Sequence, residues 1–213
     1  PRKGQVYLRK LFSTLGFPGW LAPKSDDIVS FAPFNNVPTN YRITIDGEQK
    51  WFGQWAFESL AVCWLFPGKT IHIDSLCPDS EQPIHVEVCD GVIKKREPES
   101  VVAHVSVPVG QWIFNIPYSW STMNFFRSEV NIDSHKGSEK KKAKGIISLD
   151  DLMRLFSGPY FINRRQPDYF SKMGSYLPDM IATMDTLENA GPYWRMKWFD
   201  KLGVTLGLKL GLI

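Results

Sequence analysis

Two short segments of the chain place large aromatic side chains beside groups that could bind or protonate a small molecule. In the first, Trp55 and Glu58 lie three residues apart at the start of an apolar predicted helix, so their side chains share one helix face. In the second, Trp120 precedes Thr122 and Asn124 at the start of another predicted helix. Indole rings suit a pocket for an apolar or cationic ligand, so both segments are candidate binding elements.

Residues with metal-binding side chains are few, and their spacing matches no metal motif. The cysteines form no CxxC pair and no Cys/His zinc pattern, and there are three of them: Cys63, Cys77 and Cys89. Three histidines fall on predicted strands: His72, His85 and His104. They could converge in the fold, but histidines that face solvent or make structural hydrogen bonds are the favoured interpretation. We therefore expect no metal site and no cofactor.

The elements that position these residues begin with a helix and a hairpin. Helical spacing of apolar residues predicts an N-terminal helix that ends at Gly16, followed by a polar loop that is rich in proline and asparagine. The segment YRITIDGEQKWFG is typical of a β-hairpin that turns at Asp46 and Gly47. Next, WAFESLAVCWLF predicts a buried helix, ended by Pro67 and Gly68.

The central part of the chain reads as a strand meander. The runs KTIHIDSL, QPIHVEVC, GVIKKREP and SVVAHVSVP alternate apolar and polar residues, and Asp90-Gly91 predicts a tight turn between the second and third runs. After the helix that begins at Trp120, GIISLDDLMRLF predicts a strand and a helix capped by Ser148, with Asp151 completing the capping pattern. This order predicts an α+β fold in which helices pack on an antiparallel sheet.

Three regions are expected along the chain. Residues 1–40 form an N-terminal helix and loop, residues 41–166 an α+β core, and residues 167–213 a helical C-terminal extension interrupted by proline and glycine. The extension carries a dense aromatic group: Tyr193, Trp194, Trp198 and Phe199. Such a patch commonly forms a partner surface, so we expect a homo-oligomer assembled through this extension.

The composition narrows the function classes. The net charge of +3 is too small to indicate nucleic-acid binding, and the lysine-rich segment at 136–145 is interpreted as a solvated linker in preference to a phosphate-binding patch. The sequence has no apolar run long enough to span a membrane and begins without a secretory leader. Together with the unpaired cysteines, these features favour a cytoplasmic protein.

Four segments in a fixed order give the chain a resemblance to a known family. They are YRITIDGEQKWFGQWAFESLAV, IDSLCPDSEQPIHVEVCDGVI, MNFFRSE and GIISLDDLMRLF, between about Tyr41 and Phe156. In this order they resemble the organomercurial (alkylmercury) lyases. That family shows a hairpin before a helix that opens Cys-x-x-Asp, a Ser-x-Cys-Pro turn, and a second cysteine shortly before a Met-x-Phe-Phe motif. The resemblance implies the α+β fold of that family.

The resemblance also assigns roles to positions of this chain. The family uses two thiolates to hold soft mercury and a carboxylate to protonate the departing carbon. The catalytic cysteines would correspond to Trp55 and Trp120, the catalytic aspartate to Glu58, and a structural cysteine to Cys77. Because an indole cannot bind mercury as a thiolate does, carbon–mercury cleavage by the family's mechanism is not expected here. Cys63 is a poor substitute, since it lies two helical turns beyond Trp55.

Three functions stay open at this point. The first is an enzyme of lyase or isomerase type that uses Glu58 for proton transfer on an apolar or aromatic small molecule, with Trp55, Trp120, Thr122 and Asn124 binding the substrate. The second is a non-catalytic binding or assembly protein, in which the tryptophans fill the old site and Glu58 pairs with a base such as Arg127. The third is a true organomercurial lyase.

Overall fold

The computed structural model describes residues 19–21, 28–31, 33–108, 116–136 and 145–154, together with residues 202 and 206. The predicted N-terminal helix, most of the lysine-rich segment and nearly all of the C-terminal extension lie outside these residues. Those predictions, the boundaries of the three regions and the proposed oligomer therefore stay predictions.

An eight-stranded antiparallel sheet makes up the larger part of the described fold. Its strands are β1 (Gly19–Leu21), β2 (Ile28–Phe31), β3 (Phe34–Asn35), β4 (Tyr41–Ile45), β5 (Glu48–Gly53), β6 (Ile71–Leu76), β7 (Pro83–Cys89) and β8 (Val92–Glu97). They are ordered β1-β2-β3-β5-β4-β6-β7-β8 across the sheet. The segment predicted as a polar loop before Tyr41 thus contributes β3 and the end of β2 to this sheet.

The two predicted Asp-Gly turns are both present. Asp46 and Gly47 have φ angles of 53° and 79° between β4 and β5, and Asp90 and Gly91 have φ angles of 47° and 78° between β7 and β8. Two-residue hairpin turns of type I′ need a positive φ at both central positions, and Asp-Gly is among the pairs that best tolerate it. The turns set the register at the start of both hairpins, and an irregularity in each ladder, at Ile43/Thr44 and at Glu87/Val88, shifts the register further along.

The last strand of the predicted meander belongs to a different sheet. This second sheet has three antiparallel strands in the order β10-β9-β11: β9 (Val102–His104), β10 (Asn124–Phe126) and β11 (Ile146–Ser148). His104 is in register with both Asn124 and Ile146. The expectation of one continuous meander was wrong at β9, because alternation predicts a strand but not its pairing partners.

Four α-helices lie in the described residues: α1 (Ala56–Ala61), α2 (Ile116–Ser121), α3 (Glu129–Lys136) and α4 (Leu149–Leu152). A 3-10 helix, Val62–Leu65, continues α1, so the predicted buried helix is present. Ser148 caps α4 as predicted, since its hydroxyl oxygen accepts a hydrogen bond of 3.0 Å from the Asp151 amide. Trp120, in contrast, lies near the end of α2 and not at the start of a helix.

The hydrophobic core lies between the inner face of the large sheet, α1 and the small sheet. All six residues of α1 are buried, and every second residue of β4, β6 and β7 points inward. The largest completely buried side chains are Phe57, Phe125, Ile43, Leu60, Ile71, Ile73, Ile84 and Met123. Each contributes about 1.5–3 kcal/mol by leaving water.

Gly53 permits the close packing of α1 on β5. A Cβ atom at this position would lie 1.9 Å from the Ser59 hydroxyl oxygen and 3.3 Å from the Tyr41 Cβ atom. The Gly53 carbonyl also accepts a hydrogen bond of 2.6 Å from the Thr39 hydroxyl. The absence of a side chain at residue 53 therefore sets the depth at which α1 enters the core.

The predicted α+β class, with helices on an antiparallel sheet, is confirmed. Among the described helices, none combines the length and the apolar character that crossing a lipid bilayer requires.

Candidate functional site

Helix α1 holds the first pair of predicted residues in different surroundings. Trp55 is the N-cap residue, has an extended backbone and is half-buried. Its carbonyl accepts hydrogen bonds from the amide of Ser59 at 3.0 Å and from the hydroxyl of Ser59 at 2.7 Å. Glu58, one turn further in, is completely buried. Glutamate is almost never fully buried in folded proteins, so Glu58 is the most unusual residue of this helix.

Tyr41 lies near enough to Glu58 for the carboxylate charge to act on its phenol, and it was not identified from the sequence. Its hydroxyl donates a hydrogen bond of 3.1 Å to the Asn124 side-chain oxygen and accepts one of 3.4 Å from the Phe125 amide. Burial raises the pKa of the Tyr41 phenol well above its usual range, and the nearby Glu58 charge raises it further. The phenol is therefore a fixed hydrogen-bond donor at neutral pH. The sequence indicated only that Tyr41 lies on a strand with its side chain directed inward.

Trp120 is a core residue that joins α2 to α1. Its side chain is 4% exposed, and its ring packs edge-on against Phe57 with the ring centroids 5.0 Å apart. Phe57 precedes Glu58 in α1, so Trp120 lies against the helix that carries the buried carboxylate. The edge-to-face geometry is a favourable arrangement for two aromatic rings.

Thr122 and Asn124 use their polar groups for contacts within the protein. The Thr122 hydroxyl donates a hydrogen bond of 2.7 Å to the Ser119 carbonyl and accepts one of 3.2 Å from the Ser106 amide. The Asn124 amide group lies 3.4 Å from the Thr122 carbonyl, while its oxygen accepts from Tyr41. Asn124 is on β10, where the sequence predicted a helix. These contacts join Asn124 to Tyr41, whose phenol feels the charge of Glu58.

The cysteines lie at opposite ends of the large sheet. Cys63 is buried beside the β7–β8 turn. Burial raises the pKa of its thiol to about 12, although a hydrogen bond with the Gly91 backbone lowers the pKa in part. Cys89 is half-buried at that same turn. Cys77 is buried in the loop that follows the other end of β6. Burial raises the pKa of its thiol, but hydrogen bonds from backbone amides, first that of Arg127, lower the pKa by more. The net pKa of Cys77 is lowered.

Arg127 helps to close that loop. Its guanidinium donates a hydrogen bond to the Pro83 carbonyl, while its backbone binds the Cys77 thiol. The Asn131 side chain of α3 donates a hydrogen bond of 2.9 Å to Asp79 in the same loop. Cys77 therefore lies where the β6–β7 loop is fastened to the segment between β10 and α3, which suits the structural role that the resemblance implies.

Two of the three strand histidines come together on the outer face of the large sheet. The rings of His72 and His85 lie 5.7 Å apart, next to the carboxylates of Asp74 and Glu87. Partial burial lowers the pKa of His85, and the hydrogen bonds to Asp74 and Glu87 raise it by more, so the net pKa is raised. His104 is buried in the small sheet, edge-on to Phe126.

A cavity of about 360 Å³ opens on this outer face. Thr39, Asn40, Arg42, Phe52, Asp74 and His85 are among the residues that line it. The catalytic residue and the four substrate-binding residues predicted from the sequence are not among the residues that line this cavity. Sequence reasoning missed it because its walls come from four strands that lie side by side only after folding.

A comparison with protein families decides the relationship of this fold to known proteins. The model of the alkylmercury lyase family (MerB) matches residues 34–159, more than half of the chain. The chain belongs to the alkylmercury lyase family. A comparison with curated proteins gives no match.

A solved structure supports the alkylmercury lyase fold. The crystal structure of the mercury-bound form of MerB2 superimposes with a TM-score of 0.53 and shares 24% sequence identity. The match covers 70% of this chain and 69% of that chain. The family resemblance predicted from the four sequence segments is therefore confirmed, and so is the fold that it implied.

Proposed function

We propose that this member of the alkylmercury lyase family transfers a proton to or from an apolar small molecule, with Glu58 as the acid–base group. The observation that carries the proposal is the complete burial of Glu58, whose charge acts on the phenol of Tyr41. By the sequence resemblance, Glu58 would correspond to the family's catalytic aspartate. A carboxylate kept in the core at this position is more than a hydrophobic plug requires. Elimination, isomerisation and cyclisation are the reaction classes that such a group can serve.

The two tryptophans argue against retained mercury chemistry. By the sequence resemblance, Trp55 and Trp120 would occupy the positions of the family's catalytic cysteines, and soft mercury is held by thiolates. An indole offers no such ligand and is far larger than a thiol. In the proposed enzyme Trp55 and Trp120 instead form the apolar wall against which a flat substrate packs.

Polar residues around Glu58 complete the proposed site. Tyr41 stays protonated beside the carboxylate and holds Asn124 by a hydrogen bond of 3.1 Å. In the proposed mechanism the polar group of the substrate takes up the hydrogen-bonding capacity that Asn124 and Thr122 keep beyond their internal contacts, while Glu58 exchanges a proton with a neighbouring carbon. This chemistry uses side chains alone and needs no cofactor.

Ligand titrations test the proposal. A library of apolar and aromatic metabolites is titrated into the protein while tryptophan fluorescence is recorded, and compounds that bind are assayed for turnover. We expect Glu58→Gln to bind the compound without turnover and Trp55→Ala to bind it more weakly. Trp51→Phe is the matched control, because Trp51 stacks on Phe66 and is not among the residues of the proposed site. Unchanged turnover in Glu58→Gln would refute the role of this carboxylate.

A non-catalytic binding or assembly protein is the second candidate, and the burial of Trp120 favours it. With 4% of its surface exposed and its ring against Phe57, Trp120 fills space in the core as a plug would. This candidate predicts no fluorescence response to the library. It also predicts a mass that depends on protein concentration and that falls to the monomer value when the extension at 167–213 is removed.

Retained organomercurial lyase activity is the third candidate, and family membership is its support. It requires that Cys63, Cys77 or Cys89 replace the missing pair of thiols. Incubation with phenylmercury, followed by detection of benzene, tests it directly. Benzene formation by the Glu58→Gln variant at the rate of the unmodified protein would contradict a proton-transfer role for Glu58 in this reaction as well.

A further inference from the structure

The outer face of the large sheet carries a cluster of two imidazoles and two carboxylates at the centre of β6 and β7. In the register of these strands His72 is opposite Glu87, and Asp74 is opposite His85. Each strand therefore contributes one histidine and one acidic residue on the same face, with the two histidines on a diagonal. The cluster is formed by strand pairing, which is why the linear sequence shows no metal motif.

The distances within this cluster suit a single metal ion. The Nε2 atom of His85 lies 3.1 Å from Oε1 of Glu87, and Nδ1 of His72 lies 3.7 Å from the same oxygen. One ligand atom from each of the three residues falls within 4.8 Å of the others. Ligand atoms bound to zinc at 2.0–2.2 Å in tetrahedral geometry are about 3.3–3.6 Å apart. Small side-chain rotations are enough to reach that arrangement.

Asp74 orients one of the two imidazoles for this purpose. Its Oδ1 atom lies 2.8 Å from Nδ1 of His85. The carboxylate accepts a hydrogen bond from Nδ1–H, so Nε2 can give its lone pair to an ion once the metal replaces the proton that Nε2 shares with Glu87. A histidine that binds a metal almost always gives its second ring nitrogen to such a partner, which fixes the tautomer. Asp74 therefore acts as a positioning residue.

The surroundings leave the cluster open to an ion from solvent. The His72 and His85 side chains are 36% and 25% exposed. Arg42 lies 3.8 Å from Asp74 on one side, and on the other Lys95 pairs with Glu97 at 2.7 Å. His85 also lines the cavity of about 360 Å³, so a water molecule or small anion has space to complete the coordination.

We propose that His72, His85 and Glu87 bind one divalent transition-metal ion of the zinc class, with Asp74 as the positioning carboxylate. Two imidazoles and one carboxylate form a ligand set that leaves a fourth position open, as catalytic zinc sites do. The site is separate from Glu58, because its residues are on the outer face of the sheet and Glu58 is in the core. It departs from the sequence-based expectation that no metal site exists.

Cobalt(II) and zinc titrations of the untagged, chelator-treated full chain test this site. Calorimetry gives the stoichiometry and affinity, and the visible spectrum of cobalt reports the coordination geometry and any thiolate ligand. We expect one equivalent to bind, with a tetrahedral spectrum that lacks a thiolate-to-cobalt charge-transfer band. The variants His85→Gln and Glu87→Gln remove ligands, and His135→Gln is the control, since His135 is an exposed histidine on α3.

The expected losses are graded. Asp74→Asn should weaken binding by about tenfold or more and alter the ¹⁵N shifts that report the His85 tautomer, since loss of an outer partner of a metal-bound histidine costs 10- to 100-fold. The loss of metal affinity should be larger in His85→Gln and Glu87→Gln than in Asp74→Asn. His135→Gln should bind the metal as tightly as the unmodified protein. No cobalt binding, a charge-transfer band from thiolate, or equal affinity in His85→Gln and the unmodified protein would each overturn the proposal.

Discussion

Gly53→Ala is expected to destabilise the protein by moving the helix that carries Glu58. The new Cβ atom would lie 1.9 Å from the Ser59 hydroxyl oxygen, 3.0 Å from the Ser59 Cβ atom and 3.3 Å from the Tyr41 Cβ atom. Non-bonded carbon atoms prefer separations of roughly 3.5–4.0 Å. The Ser59 hydroxyl must therefore rotate away or α1 must retreat from β5.

Three terms set the size of the effect. Forcing an extra methyl group into a packed core costs about 1–3 kcal/mol. Rotating the Ser59 hydroxyl breaks its 2.7 Å hydrogen bond to the Trp55 carbonyl, which costs about 1 kcal/mol. Replacing glycine by alanine also stabilises the protein by about 0.4–1 kcal/mol, because it lowers the conformational entropy of the unfolded chain. The free energy of unfolding should thus fall by roughly 1–3 kcal/mol.

Urea denaturation of a double-mutant cycle measures this contact. We compare Gly53→Ala, Ser59→Ala and the double variant, because Ser59→Ala removes the oxygen that the new methyl group would meet. The double variant should lose less stability than the sum of the two single variants, with a coupling of about 1 kcal/mol or more. A neutral Gly53→Ala, or strict additivity in the cycle, would refute the close approach of α1 to β5.

Three further predictions concern other parts of the fold. Ser148→Ala should lower the free energy of unfolding by about 1 kcal/mol in a urea titration, since it removes the N-cap of α4; Ser148→Asp should retain it, and equal loss in both would contradict the cap. Cys89 should react first with a thiol reagent in the native protein, because the other two cysteines are buried; mass spectrometry that finds another thiol labelled first would contradict this order. In metal-free protein, NMR titration should find a His85 pKa above the ordinary histidine value, and Glu87→Gln should lower it.

The His85 shift also has a defined effect on stability. Because the folded protein binds this proton more tightly than the unfolded chain, the contribution is fully present below the unfolded histidine pKa of about 6.5. It is lost as the pH rises through the higher folded pKa. The difference in unfolding free energy between the unmodified protein and Glu87→Gln should therefore shrink over this interval, and a difference that grows with pH would contradict the assignment.

Local features of the fold could be predicted where one short segment determines the conformation. The turns at Asp46-Gly47 and Asp90-Gly91 follow from the need for a positive φ at both central residues. Helix α1 follows from a largely apolar segment that ends before Pro67-Gly68, and the Ser148 cap from the preference of a hydroxyl for the first free amides of a helix.

Features that depend on long-range pairing could not be predicted. The alternation of β9 identified a strand, but its partners β10 and β11 are distant in sequence, so its place in a second sheet was missed. Trp120 ends a helix because the backbone turns directly into the strand that holds Asn124. Tyr41 approaches Glu58, and His72 approaches Glu87, only after different elements of the fold pack or pair. The roles proposed for Tyr41 and Glu87 could therefore not be predicted from the sequence.

Deuterium incorporation tests the central claim about Glu58 most directly. The protein is incubated in D₂O with a library of apolar and aromatic metabolites, and mass spectrometry records which compounds exchange a carbon-bound hydrogen. We predict that the unmodified protein labels a specific compound or a small related group, and that Glu58→Gln, shown by circular dichroism to be folded, labels none. Equal labelling by both proteins, or cleavage of phenylmercury by a protein that labels no compound, would contradict the account.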